Sequence, residues 1–162
     1  MTRTNRDERD AQLASVLADA VRAGRLQAAD ALRVIRHEMR RRNTNKKATL
    51  PYRSVRAQAV IDAYAERGES PPKNGSDDAL HADHVYEFGA DQLLETVTVD
   101  EWHEVLTAAR TVVVVTAREN YTLEKLENTG LRGPGKYAAA GVTWAAEVPG
   151  FIERDAQPNT AK

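Results

Sequence analysis

The stretch Thr111 to Asn120 reads TVVVVTAREN, and it decides more of the fold than any other ten residues of the chain. Its β-branched run, apolar on both alternating faces, predicts a strand over Thr111 to Thr116 that is buried on both sides. Thr116 followed three residues later by Glu119 is capping-box spacing, in which a hydroxyl and a carboxylate satisfy the first free N–H groups of a helix. A helix therefore begins at Ala117, carries Leu123 and Leu126, and ends near Asn128 ahead of Gly130. Thr98 and Glu101 repeat the signature upstream and predict a helix carrying Trp102, Val105 and Leu106.

Working back toward the N-terminus, Leu13, Val16, Leu17, Ala20 and Val21 recur at helical spacing up to Gly24. Leu26, Ala29, Leu32, Ile35 and Met39 form a second stripe, so the two read as a helical hairpin joined at Ala23, Gly24 and Arg25. A polar, basic connector runs from Asn43 to Pro51, where the proline excludes a continuing helix. A third helix is expected after Ser54, with Val55, Ala59, Val60, Ala63 and Tyr64 inward, stopping at Gly68. The stretch 69–78, ESPPKNGSDD, has no apolar residue besides its prolines and reads as a linker or loop. Beyond it, the second half of His81 to Phe88 is strand-like, with Tyr86 and Phe88 on one face. Residues Gly130 to Lys136, GLRGPGK, read as a loop, Gly141 to Val148 as a last short strand, and 153–162 as a frayed tail.

The composition bounds the chemistry. A chain of 162 residues is about one domain. With 41% hydrophobic and 29% charged residues it is globular but polar. The absence of cysteine removes disulfide scaffolds, Cys-ligated metals and thiol catalysis, and fits a reducing, cytoplasmic setting. The longest strongly apolar run, Val112 to Val115, is far short of the ~20 residues a membrane span needs, and the charged N-terminus is not that of a signal peptide. No membrane partner is expected. GLRGPGK lacks the Gly-Lys-Ser/Thr ending of a phosphate-binding loop, so no nucleotide triphosphate is expected either.

Net charge is only −1, but it is unevenly spread. Nine basic residues between positions 33 and 56 (Arg33, Arg36, Arg40, Arg41, Arg42, Lys46, Lys47, Arg53 and Arg56) face one acid, Glu38. From Asn74 to Ala109 there are nine acids and no Lys or Arg. The first stretch is the candidate phosphate clamp, since Lys and Arg release condensed counterions from a nucleic-acid backbone; its plain alternative is a solvated helix face.

Two short segments carry candidate chemistry. His81-Ala82-Asp83-His84 enters one strand, and Glu119-Asn120 sits in the first turn of the helix leaving the next. If the strands pair, Asp83, His84 and Asn120 come close. Asp and Asn oxygens are hard ligands suited to Mg²⁺, and a near-neutral histidine can deprotonate a water. A structural reading stands beside this one: Asp83 caps a turn, His84 lies on a strand surface, and Glu119-Asn120 merely ends a capping box.

These residues resemble the HNH or His-Me finger (ββα-metal) endonucleases over residues 81–128. The expected fold is α+β: an N-terminal helical segment over 1–68, whose basic stretch makes it the candidate nucleic-acid-binding part, and then, as the resemblance implies, a ββα-metal-like strand/helix module over 79–152 with an inserted helix around Thr98 to Ala109. The resemblance implies a DNA phosphodiester hydrolase using one Mg²⁺ or Mn²⁺ ion. Asp83 and Asn120 would hold the metal, His84 would be the general base, and His81, placed with it in the catalytic set, would either support the ligands from behind or contact phosphate. The central Asn of that family is replaced here by Arg110-Thr111, and its cysteine pairs are absent. The rival expectation is a non-enzymatic nucleic-acid-binding or regulatory protein of phage or bacterial type, in which the C-terminal part packs or forms a homodimer.

Overall fold

The computed structural model describes residues 4–40 and 46–148. Arg41 and Arg42, the tail 153–162 and the last residues of the expected 79–152 module lie outside the described residues. The described chain is mixed α+β, with one antiparallel pair of strands. It forms two compact units, neither continuous in sequence: 1–43 with 86–111, and 44–85 with 112–162. The stretch 69–78 reads as a linker or loop. That stretch lies inside the second unit, and the segment read as an insertion belongs with the N-terminal helices.

In the first unit α1 (Asn5–Arg22) starts from a capping box between Thr4 and Asp7. It buries Ala11, Ala14, Ser15 and Ala18, while Leu13 and Val16, expected inward, are 46% and 63% exposed. The reason is complementarity of size. Small residues on α1 admit the bulky Trp102 and Leu106 of α5 (Val99–Ala109), and these share a core with Ile35, Met39, Phe88 and Leu93. α2 (Ala28–Val34) passes into a π-helical turn over Ile35–Arg40 that keeps Ile35 and Met39 inward. A short helix α4 (Ala90–Glu95), which the sequence reading lacked, precedes α5. Arg110 ties the unit together, donating to Asp7 at 3.0 Å, to Asp10 at 2.5 Å and to the Met39 carbonyl at 2.7 Å.

In the second unit a 3₁₀ turn (Lys47–Thr49) and α3 (Val55–Glu66) precede β1 (Leu80–His84), which pairs with β2 (Val112–Thr116) from Leu80↔Thr116 to His84↔Val112. Every residue of β2 is buried, as its sequence predicts. β1 lies earlier than the expected Val85 to Phe88, because pairing ends at His84↔Val112 and β2 offers nothing further to pair with. The other edge of β2 is covered by segment 52–54: Val114 N–H donates to Tyr52 O at 2.8 Å, and Ser54 N–H to Val114 O at 2.9 Å. The 141–148 stretch contributes only a bridge, Trp144 to Ser54, in place of a strand.

Strand alternation divides the sheet. Leu80, Ala82 and His84 share a face with Val114, against which Ala57 of α3 packs. The inward face of α3 is thus Ala57 with Val60 and Ile61, and Val55 is 48% exposed. His81 and Asp83 share the opposite face, met by α6 (Ala117–Asn128) and α7 (Gly135–Ala139), the latter starting within the Gly130 to Lys136 stretch that reads as a loop. Among the described residues no helix is long and apolar enough to cross a membrane.

Candidate functional site

The capping box at the start of α6 forms as its spacing predicts, and it reaches further. Glu119, buried, accepts from Thr116 N–H at 2.9 Å, from Thr116 Oγ1 at 3.1 Å and from Ser54 Oγ at 2.7 Å. Ser54 in turn accepts from Ala57 N–H at 3.0 Å as the N-cap of α3. One carboxylate thus joins the N-termini of α3 and α6 to the end of β2, a structural role.

Asp83 is held from α7. Its Oδ2 accepts from Tyr137 OH at 2.5 Å and lies 2.8 Å from Lys136 Nζ. The same Nζ reaches Glu127 Oε1 at 2.5 Å, and the Lys136 side chain is only 3% exposed. A turn through Gly133, whose φ of +71° an L side chain rarely adopts, leads into α7 and its Lys136-Tyr137 pair. His81 shares the Asp83 face. Burial first, and the Lys47 ammonium second, hold its pKa below the ordinary imidazole value, against the opposing pull of Glu124 and Asp83. His84 falls at the last register position, on the other face from Asp83.

Asn120 is in the first turn of α6, as expected, but its Nδ2 donates to Glu124 at 2.8 Å rather than meeting Asp83. Among the described residues no group of three His, Cys, Asp or Glu is arranged to hold a metal ion. The residues present do not fit the expected site: the Asp83 oxygen is bound to an ammonium and a phenol, and Asn120 is committed to Glu124.

The arginines of the expected clamp mostly face backbone. Arg36 donates twice to Phe88 O, at 3.1 and 2.6 Å. Arg40 donates to Tyr86 O at 2.8 Å and to Ala109 O at 3.3 Å, an acceptor left free at the end of α5. Arg33 pairs with Asp30 at 3.2 Å, and Arg53 donates to Leu50 O and Gln58 Oε1, each at 2.8 Å. Arg56 is exposed in the first turn of α3.

The lysines differ. Lys46 and Lys47, with Lys73 and Asn74 from the 69–78 stretch, line a groove of about 610 Å³ along β1, where Leu80 and Ala82 form its wall. Ala117 N–H donates to Ala79 O, so by antiparallel alternation the N–H and C=O groups of Leu80 and Ala82 point away from β2, to the groove side. Among the described residues no carboxylate lines the groove. Lys73 is the member sequence reasoning missed, since its stretch reads as a linker. Lys136, Tyr137 and Glu127 were missed as a network because they lie in and around a Gly-Pro-Gly loop that carries no periodic signal. Comparison of the chain with protein-family models, with curated proteins and with solved structures finds no match.

Proposed function

We propose that this chain binds nucleic acid, holding the phosphates of a strand in the groove of Lys46, Lys47 and Lys73. One observation carries the reading: three lysines line one groove to which the described residues contribute no acid, although acidic residues slightly outnumber basic ones in the whole chain. Ammonium groups not already neutralised by carboxylates can pair with phosphates and release the counterions condensed on a nucleic-acid backbone. Asn74, Thr49 and Ser70 add neutral polar groups beside them. Such contacts position a strand rather than read its bases.

The test is fluorescence anisotropy with single-stranded and duplex oligonucleotides between about 50 and 200 mM salt. If three phosphates are neutralised, the logarithm of affinity for a single strand falls against log salt with a slope near −2, and Lys46→Gln, Lys47→Gln and Lys73→Gln together flatten it. An unchanged slope in the triple variant would sink the reading.

A second reading, DNA phosphodiester hydrolysis, is favoured by a different observation. β1 and β2 pair antiparallel and lead directly into a capped α6, with His81 and Asp83 on the sheet face toward that helix. Plasmid nicking in Mg²⁺ or Mn²⁺ that is abolished by chelator and by Asp83→Asn would put hydrolysis first. Retardation on a gel without nicking leaves the binding reading in place.

A further inference from the structure

We infer that Lys136 is the resident cation of the Asp83 and Glu127 carboxylates, a tethered ammonium that keeps divalent metal ions out of this site. The inference is independent of the nucleic-acid reading, because it concerns the opposite face of β1.

The Lys136 side chain is 3% exposed, whereas those of Asp83 and Glu127 are 19% and 31% exposed. A lysine is buried this deeply almost only when its charge is paired. Here Nζ lies between the two carboxylates, at 2.8 Å from Asp83 and 2.5 Å from Glu127. The Tyr137 ring stands 5.0 Å from Nζ, which places aromatic density beside the third side of the ammonium. Tyr137 OH donates to the same Asp83 oxygen that meets Nζ, so that oxygen already has two partners. A divalent ion would have to displace both a covalently tethered charge and a hydrogen bond before reaching that Asp83 oxygen. It would also need about six oxygen ligands, and the described residues gather no such set. The tether is short in sequence, since Glu127 and Lys136 are nine positions apart and joined by the Gly133 turn. The ammonium is therefore present whenever α7 is folded, at an effective concentration no free ion matches.

The experiment is a Mn²⁺ titration of the full chain, followed by thermal unfolding and by paramagnetic broadening of backbone amide resonances. In the wild type the amides of Asp83, Glu127 and Lys136 keep their linewidths, and Tm does not rise. Lys136→Met removes the charge and retains most of the volume. In chelator its Tm is lower by about 6–20 °C, the usual consequence of leaving buried charge uncompensated in a chain this size. Saturating Mn²⁺ then recovers about 5 °C or more, with broadening centred on Asp83 and Glu127. Lys136→Arg, which keeps a cation in place, gains no Mn²⁺ response. Broadening at Asp83 in the wild type, removed by Asp83→Asn, would overturn the inference. So would a folded Lys136→Met that ignores Mn²⁺. If Lys136→Met does not fold, Lys136→Gln, also uncharged and of similar length, takes its place with the same expected and the same overturning result.

Discussion

In the first unit Arg36, Arg40 and Arg110 aim their guanidinium groups at carbonyls of Phe88, Tyr86, Ala109 and Met39, whereas in the second unit Lys46, Lys47 and Lys73 line a groove to which the described residues contribute no acid. A contiguous basic run in the sequence is thus distributed between two uses. The planar fork of arginine can bridge several acceptors at once and suits the free carbonyls where helices end. A lysine ammonium is a strongly hydrated point charge on a flexible stem, and beside a groove it remains exposed to a mobile polyanion. Counting charge along the chain therefore overstates one clamp and hides another.

The largest effect should come from the arginine side of this contrast. Arg110 is 16% exposed and joins Asp7, Asp10 and the Met39 carbonyl. Arg110→Met withdraws one guanidinium from two largely buried carboxylates and a donor from the Met39 carbonyl, and we expect a loss of about 3–5 kcal/mol in urea denaturation. A loss below about 1 kcal/mol would mean that these pairs behave as surface pairs. Next in size is Glu119, whose carboxylate serves Thr116 and Ser54. Glu119→Ala should cost about 1–3 kcal/mol, and Glu119→Gln, which retains an acceptor oxygen, clearly less. Equal losses would show that charge, rather than acceptor geometry, holds that junction.

The contrast itself is tested by pairing stability with salt dependence. Arg36→Gln with Arg40→Gln should cost about 1–3 kcal/mol through unpaired carbonyls, yet leave the salt slope of oligonucleotide binding unchanged. Lys46→Gln, Lys47→Gln and Lys73→Gln together should leave stability within about 0.5 kcal/mol and flatten that slope. The reverse outcome would put the clamp back on the helix.

What was legible in the sequence follows from the range of the forces involved. β2, α5 and α6 were readable because their signals are local: a β-branched run for Val112–Thr116, and Thr98–Glu101 and Thr116–Glu119 for the two helix starts. The inward face of α1 was not, because whether alanine or leucine turns inward depends on Trp102, which is remote in sequence. The same holds for the site. Asp83 and Asn120 could be placed on a strand and a helix turn, but their partners, Lys136 and Tyr137 for one and Glu124 for the other, depend on how α6 and α7 meet the sheet. Two antiparallel strands and a following helix are present, while Asp83 and Asn120, the expected ligands, are engaged by Lys136, Tyr137 and Glu124.

The smallest expected effect probes the groove from behind. Burial first and Lys47 second hold the His81 pKa below its ordinary value, so the unfolded chain takes up the proton more readily than the folded one. His81 therefore contributes stability that is fully present above the ordinary imidazole value, about 6.5, and is lost as pH falls through the lower folded value. His81→Asn should remove that part of the acid-side decline in Tm. Lys47→Gln should move the His81 titration, followed by the imidazole proton resonances, toward higher pH, since one of the two lowering causes is gone. A phosphate bound against Lys47 should move it the same way by neutralising the same charge. If oligonucleotide shifts His81 upward in the wild type but no longer does so in Lys47→Gln, the histidine reports occupancy of the groove. If the shift is unchanged in Lys47→Gln, the strand lies elsewhere and the lysines of the second unit lose their distinction from the arginines of the first.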